Sequence, residues 1–345
     1  MPRPLHFFYS FFFIAFTPSR VRGSASLRRV AIGKLYNTRL VLRPSDPHHH
    51  LIPIAVCFSP QLLLRPSSAS PIPSVMAMLW PSPPFLYAPS PVVASLTAAC
   101  AATLAFLAIS EFRGANLRYS KFGGRAKKGG GGGGALLLPS RVGMFVIYAP
   151  ALAAALASFL VPGAVEGARA RILAAAVAVH FLKRVLEVLF VHRYSGSMPL
   201  GTALLISSCY LFNGMAMIYV QHLSHGLPEP AVDLLYPGVL AFAVGIAGNF
   251  YHHHLLSRLR ADGGDKGHYK IPRGGLFELV TCPHYLFEII GFFGFAMISQ
   301  TAYALVVAVG TAAYLAGRSY TTRKWYAAKF EEFPARVRAL VPYVW

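Results

Sequence analysis

Beyond residue 90 the sequence is dominated by seven apolar runs, roughly 92–110, 142–161, 172–191, 201–220, 234–251, 279–298 and 301–317. Each is close to the ~20 residues that a helix needs to cross a bilayer. In lipid, a helix is one of only two backbone forms that satisfy all of their own polar groups. Hydrophobic residues make up 55% of the chain and charged residues 13%; a soluble domain carries about twice that charge. The expected fold is therefore all-α, a polytopic membrane bundle of about seven transmembrane helices.

The net charge of +20 raises the question of nucleic acid. Its distribution answers no. Arg113, Arg118, Lys121, Arg125, Lys127, Lys128 and Arg141 lie between the first two runs, and Arg193 follows the third. Arg258, Arg260, Lys266, Lys270 and Arg273 follow the fifth, and Arg318, Arg323, Lys324, Lys329, Arg336 and Arg338 follow the seventh. The alternate loops hold only Arg169 and Arg171. A chain that crosses back and forth collects every basic loop on one face, which the positive-inside tendency makes cytosolic. The membrane domain is then expected to start on the lumenal side and to leave its C-terminal tail in the cytosol.

Residues 1–75 differ from the rest. They hold nine of the 32 basic residues and one of the 12 acids, with only a short apolar run, Phe7 to Phe16. That composition suits a leader or an N-terminal extension outside the fold. Met76 and Met78 precede the organised sequence, so residues 76–345 are expected to form the membrane domain. Gly129 to Gly134 reads as a flexible linker. His48-His49-His50 lies in the leader and reads as low complexity. Cys57, Cys100, Cys209 and Cys282 are scattered without a CxxC and read as free thiols.

Polar residues inside apolar runs are costly and mark function or buried pairing. In VHFLKRVLEVLFVHRYSGSMP, the residues His180, Arg184 and Glu187 fall on one helical face, and Lys183 lies four before Glu187. Two readings stand: an internal salt bridge near the interface, or a stripe facing a cavity. In AGNFYHHHLLSRLR, Asn249, His253 and Arg260 share a face. His252-His253-His254 is not expected to bind metal, because consecutive residues point apart and nearby acids to complete a metal shell are lacking. In YKIPRGGLFELVTCPHYLFE, Gly274-Gly275 breaks the chain and Pro283 is expected to interrupt the sixth run early, beside His284, Tyr285 and Glu288. No GxGxxG follows a strand, so a Rossmann site is not expected.

These stretches, with GRSYTTRKWYAAKFEEFPARVRALVP in the tail, resemble the C-terminal domain of the steroid 5-alpha-reductase family over about 245–345 and more loosely back to Val92. The whole is most similar to the plant-type 3-oxo-5-alpha-steroid 4-dehydrogenase proteins of that family. HFLKRVLEVLFVHRYS is similar to the very-long-chain trans-2-enoyl-CoA reductases, a branch of the same superfamily. The resemblance implies a multi-pass endoplasmic reticulum enzyme of lipid metabolism that binds NADPH on its cytosolic side. It implies reduction of a carbon–carbon double bond conjugated to a carbonyl in a sterol, an enoyl-CoA or a polyprenol-like lipid. Cofactor contacts carry over to Asn249, Arg260, Tyr269, Arg318 and Tyr326, with Lys121 in Tyr119-Ser120-Lys121 and with His284, which replaces the family's asparagine after Cys-Pro.

For the chemistry, Tyr148 or Tyr285 is expected to polarise the carbonyl and supply a proton. Arg184 or Lys183 is expected to stabilise enolate charge, with His180 on the same face. Glu288 is expected to fix an arginine or the cofactor amide, or else to pair with a base of the third run. The family's Gln-Glu pair aligns with Ile147-Tyr148, its substrate tyrosine with Phe181, and an aspartate with His253. These departures point away from a 3-oxo-steroid. The expected partners are a lipid substrate and the bilayer, with protein partners undefined. The alternatives are methyl transfer from S-adenosylmethionine on a similar scaffold, or a non-catalytic protein that keeps the fold.

Overall fold

A computed structural model of the chain describes residues 83–115, 117, 136–261 and 269–345. The leader, the Met76 region, the glycine run and Lys121 lie outside the described residues, as does the side chain of Arg260. The described residues fall within one unit, Ser70–Trp345.

Seven long helices follow in order: α1 (Pro91–Phe112), α2 (Ser140–Ala157), α3 (Gly167–Leu186), α4 (Leu200–Leu223), α5 (Leu235–Ala261), α6 (Pro283–Ser299) and α7 (Ala302–Lys329). They answer to the seven apolar runs. α1, α2 with its continuation to Leu160, α4 and α7 are long and apolar enough to cross a membrane, and α6 is a shorter apolar helix. α3 and α5 carry most of the charged and histidine side chains, which makes them less apolar. The chain is thus a helical membrane bundle. Two three-residue strands, β1 (Leu137–Pro139) and β2 (Ser197–Pro199), pair antiparallel and lead into α2 and α4.

The helix ends are written in the sequence. Ser90 caps α1 by accepting the Val93 N–H at 3.3 Å, with Pro91 as the first helical residue. Thr301 caps α7 by accepting the Ala304 N–H at 3.4 Å. One expectation is corrected here. Pro283 does not interrupt a helix; it opens α6. Its missing N–H falls in the first turn, where no intrahelical partner exists anyway. The residues before it, expected to be helical, instead pair with the tail: Thr281 N–H donates to Arg338 C=O at 2.8 Å, and Arg338 N–H donates to Leu279 C=O at 2.8 Å.

Lipid supplies no hydrophobic drive for helix association, so close packing of small residues takes its place. α5 and α6 form the most extensive helix pair. Gly238, Gly245 and Gly248 of α5 face α6, and Gly294 of α6 faces α5. A Cβ at Gly294 would lie 2.6 Å from Phe242 N, and one at Gly238 would lie 2.7 Å from Ile298 N. At Gly245 it would strike the backbone of Gly291.

The loop end formed by residues 83–90, 224–235 and the α6–α7 turn converges on Gln300. This residue adopts the left-handed conformation at φ 51°. Its side-chain oxygen accepts from Arg169 and the Leu234 N–H at 2.8 and 2.9 Å. Its amide donates to the carbonyls of Phe85 and Val232, both at 2.8 Å. Arg169 also pairs with Glu229 and Asp233. The Leu235 N–H and then Arg169 hold the Asp233 carboxyl below its ordinary range, so the contact is present at neutral pH and is lost only on strong acidification.

At the other end, Arg318 of α7 is 1% exposed and meets the equally buried Glu111 of α1 at 3.1 Å. Removing one partner of such a pair strands a buried charge, at a cost of about 3–5 kcal/mol. Arg318→Ala should therefore lower thermal stability in detergent strongly, and adding Glu111→Gln should restore most of it. Gly245→Leu should destabilise by at least ~1–3 kcal/mol through overpacking. Gly201→Leu, at a position with open space around it, should leave the melting temperature unchanged.

Candidate functional site

The close approach of α5 and α6 places Asn249 against the start of α6. Its Nδ2 donates to the His284 carbonyl at 2.8 Å and to Glu288 Oε2 at 3.4 Å. Its Oδ1 accepts from Lys183 of α3. Lys183 Nζ is also 2.9 Å from Glu187 Oε1.

Glu187 sits where α3 gives way to a wider π-helical turn, Glu187–Val191, and its side chain is 1% exposed. Such turns often occur at functional sites. Its Oε2 receives Arg184 at 3.0 Å, and its Oε1 receives His253 Nδ1 of α5 at 3.0 Å. Arg184 Nη1 lies 3.1 Å from His253 Nδ1 and 3.5 Å from its Nε2, so the ring touches both the carboxylate and the guanidinium. His192, just past the π turn, brings Nε2 to 4.0 Å from Glu187 Oε2.

Arg184 reaches in the other direction to Tyr148 of α2. It donates to the phenol oxygen, and its guanidinium carbon lies 4.7 Å from the ring centroid. Tyr210 of α4 packs on Tyr148 at 5.5 Å and on Phe181 at 5.7 Å. The result is one buried network from four helices, with two carboxylates, Glu187 and Glu288, and two cations, Lys183 and Arg184. Chemically it offers a phenol activated by a guanidinium, beside an amide and a histidine held at the start of α6. Arg184 Nε is buried and makes no hydrogen bond among the described residues.

Of the expected catalytic residues, Tyr148 and Arg184 are in direct contact, and Glu288 joins them through Asn249 and Lys183. His180 is enclosed by Phe181, Phe292 and Phe295 at 5.1, 5.6 and 5.8 Å between ring centroids. Tyr285 lies against the His284 ring at 4.2 Å and packs on the Leu315 and Leu340 side of α6. Of the expected cofactor residues, Asn249 and His284 are in the network, and the His284 ring is 5.3 Å from His253. Tyr269 packs on Trp325 at 4.8 Å. Arg318 is engaged with Glu111, and Tyr326 stacks on Phe333 at 5.6 Å.

Sequence reasoning missed the centre of the network. Glu187 was visible as a partner of Lys183 and Arg184, but not as a partner of His253. The three consecutive histidines do diverge as expected. His252 accepts the Leu276 N–H at 3.2 Å, His253 enters the network, and His254 stacks outside on Phe250. The expectation that no acid lies near His253 is corrected, because Glu187 arrives from another helix.

Residues 197–345 match the family described as 3-oxo-5-alpha-steroid 4-dehydrogenase. The chain is 33% identical over 213 residues to 3-oxo-5-alpha-steroid 4-dehydrogenase 1 of Macaca fascicularis, across 60% of this chain and 80% of that one. It is 30% identical over 251 residues to the protein of the same name from Rattus norvegicus, across 70% and 91% of the two chains. It is 31% identical over 169 residues to the very-long-chain enoyl-CoA reductase of Dictyostelium discoideum, across 48% and 55%. With the mammalian proteins matched over 80% and 91% of their own length, the chain belongs to the 3-oxo-5-alpha-steroid 4-dehydrogenase family of oxidoreductases.

Proposed function

We propose that the protein reduces a carbon–carbon double bond conjugated to a carbonyl in a lipid, with NADPH as reductant, at the end of the bundle that carries the basic loops. In this reading that end faces the cytosol, all seven helices lie in the endoplasmic reticulum membrane, and residues 76–345 form the working domain. The observation that carries the reading is the contact between Arg184 and Tyr148, a proton-donating phenol gripped by a buried guanidinium.

A nicotinamide cofactor fits the donor set. The network holds a buried donor, Arg184 Nε, without an acceptor among the described residues. Asn249 and His284 would hold the reacting end, with Tyr269 toward the rest of the dinucleotide; Lys121 and the Arg260 side chain, which the resemblance adds, lie outside the described residues. Arg318 and Tyr326 would form its wall rather than grip phosphate, because Arg318 already answers Glu111. When bound, such a cofactor would supply the hydride that the carbon beta to the carbonyl receives.

The chain's own residues handle the charge and the proton. Negative charge gathers on the carbonyl oxygen as the double bond is reduced. Tyr148 O–H donates its proton to that oxygen while Arg184 holds the phenol oxygen. The resulting enol takes a second proton, drawn from bulk solvent, at the alpha carbon and returns the oxygen's proton to the phenolate, which restores Tyr148. Aromatic side chains, Phe181 and Tyr210 among them, exclude water beside Tyr148. Ile147 and Phe181 offer no hydrogen bond from their side chains, so a carbonyl here relies on Tyr148 for its donor. This favours a flexible lipid carbonyl over the 3-ketone of a rigid steroid. The Dictyostelium enoyl-CoA reductase relative fits this reading, while the mammalian relatives named for a 3-oxo-steroid match over more of their length.

The test is detergent-purified protein with NADPH and a panel comprising a long-chain trans-2-enoyl-CoA, a 4-en-3-one sterol and a polyprenal, with products read by mass spectrometry. Reduction of one panel member is expected, with the 4-en-3-one at least about a hundredfold slower than that substrate. Tyr148→Phe should lower kcat by about 10²–10³ with little change in NADPH affinity. A fully active Tyr148→Phe protein, or the 4-en-3-one as the fastest substrate, would remove Tyr148 from the proposed role.

A further inference from the structure

Reduction as read above makes two demands on one site. A cofactor must be held in register with the start of α6, and a carbonyl must be held against Tyr148. Both arms end on the same carboxylate, and its two oxygens divide between them, with Arg184 Nη1 also 3.1 Å from His253 Nδ1. Glu187 Oε1 holds Lys183 and His253, at 2.9 and 3.0 Å. Lys183 continues to Asn249, and Asn249 to the His284 carbonyl and Glu288. Glu187 Oε2 holds Arg184 at 3.0 Å, and Arg184 continues to Tyr148. We propose that Glu187 is a positioning residue that couples the cofactor arm to the carbonyl arm, so that hydride and proton delivery are aligned by a single group. The inference rests on the reading of the site as an NADPH-dependent reductase.

The local backbone supports this role. Glu187 opens the π turn, and the His192 N–H closes that turn onto the Glu187 carbonyl at 2.7 Å. The carboxylate is thereby fixed at the end of α3, between α2 on one side and α5 on the other. No other acid can substitute by charge alone. An aspartate keeps the charge but is one methylene shorter, so it meets the two cations less well. A glutamine has one acceptor oxygen, and its amide would turn two hydrogens toward a cation.

The same place invites a metal reading, because the ligand atoms of Glu187, His192 and His253 lie within 4.8 Å of one another. Charge argues against it. Lys183 and Arg184 already occupy the carboxylate at contact distance, and a divalent ion there would face both of them in a medium of low dielectric. The cations of this centre are side chains.

The test uses the full chain in detergent with the panel substrate that supports turnover. Glu187→Gln is compared with wild type for NADPH affinity, for kcat at saturating NADPH, and for two isotope effects. One is measured with NADPH deuterated at the transferred position, the other in D2O. The expected result is a fall in kcat of at least about tenfold, with both isotope effects altered together, and partial recovery in Glu187→Asp. A role in folding alone would lower the amount of active protein and leave both isotope effects at their wild-type values.

A charge-balanced variant, Glu187→Gln with Lys183→Met, guards against misfolding. Its glutamine oxygen still accepts from Arg184, so only the cofactor arm is cut. It should weaken NADPH binding and alter the deuteride effect while the solvent effect stays as in wild type. Change in only one isotope effect in Glu187→Gln, no change in either, or stoichiometric metal bound by the wild type and lost in Glu187→Gln would each overturn the coupling. A wild-type protein that neither binds NADPH nor reduces any panel member would instead overturn the functional reading, and this inference with it.

Discussion

A carboxylate buried in a membrane bundle is costly unless cations come to it, and the arrangement around Glu187 follows from that constraint. Ion-pair attraction there is strong because the dielectric is low, and the cost of removing each ion from water is large for the same reason. Lys183 and Arg184 precede Glu187 by four and three residues, so the ion pairs form within one helix. The surplus hydrogen-bonding capacity of both bases is then directed outward, to Asn249 of α5 and Tyr148 of α2. Each interhelical bond sets which face of its helix turns inward. The buried pair of Arg318 and Glu111 acts in the same way between α7 and α1.

Such a network needs backbones that come close. Asn249 is a short side chain, yet it reaches the first residues of α6. It can do so because glycines on both helices remove the side chains that would hold α5 and α6 apart. The polar cluster and the glycine seam are therefore one device: the seam brings the backbones together, and the amide fixes their register. At the opposite end the fully bonded Gln300 amide ties the loops down. The bundle is thus pinned at one end by a hydrogen-bond knot and organised at the other by buried charge, where chemistry is expected.

The readings that succeeded rest on strong local signals. Apolar runs of membrane length became helices because no other backbone state satisfies itself there. The resemblance carried by the YKIPRGGLF and WYAAKF stretches led to the family that the comparisons confirm. The divergence of His252, His253 and His254 followed from helical geometry alone. The reading of Pro283 as an interruption failed because the pattern of apolar residues continues upstream of it. Whether Leu279 to Cys282 extend the helix depends on the tail at Arg338 and Ala339, which offers their backbone other partners.

Length, apolarity, loop charge and the family motifs were determined by the sequence alone, because each depends on residues adjacent in the chain or on a helical period. The pairing of Glu187 with His253, the contact of Arg184 with Tyr148 and the engagement of Arg318 with Glu111 were decided only by the tertiary structure. These partners lie 66, 36 and 207 residues apart in sequence. A lone charged residue in an apolar run announces that it needs a partner, but only the packing of the helices determines which one it meets.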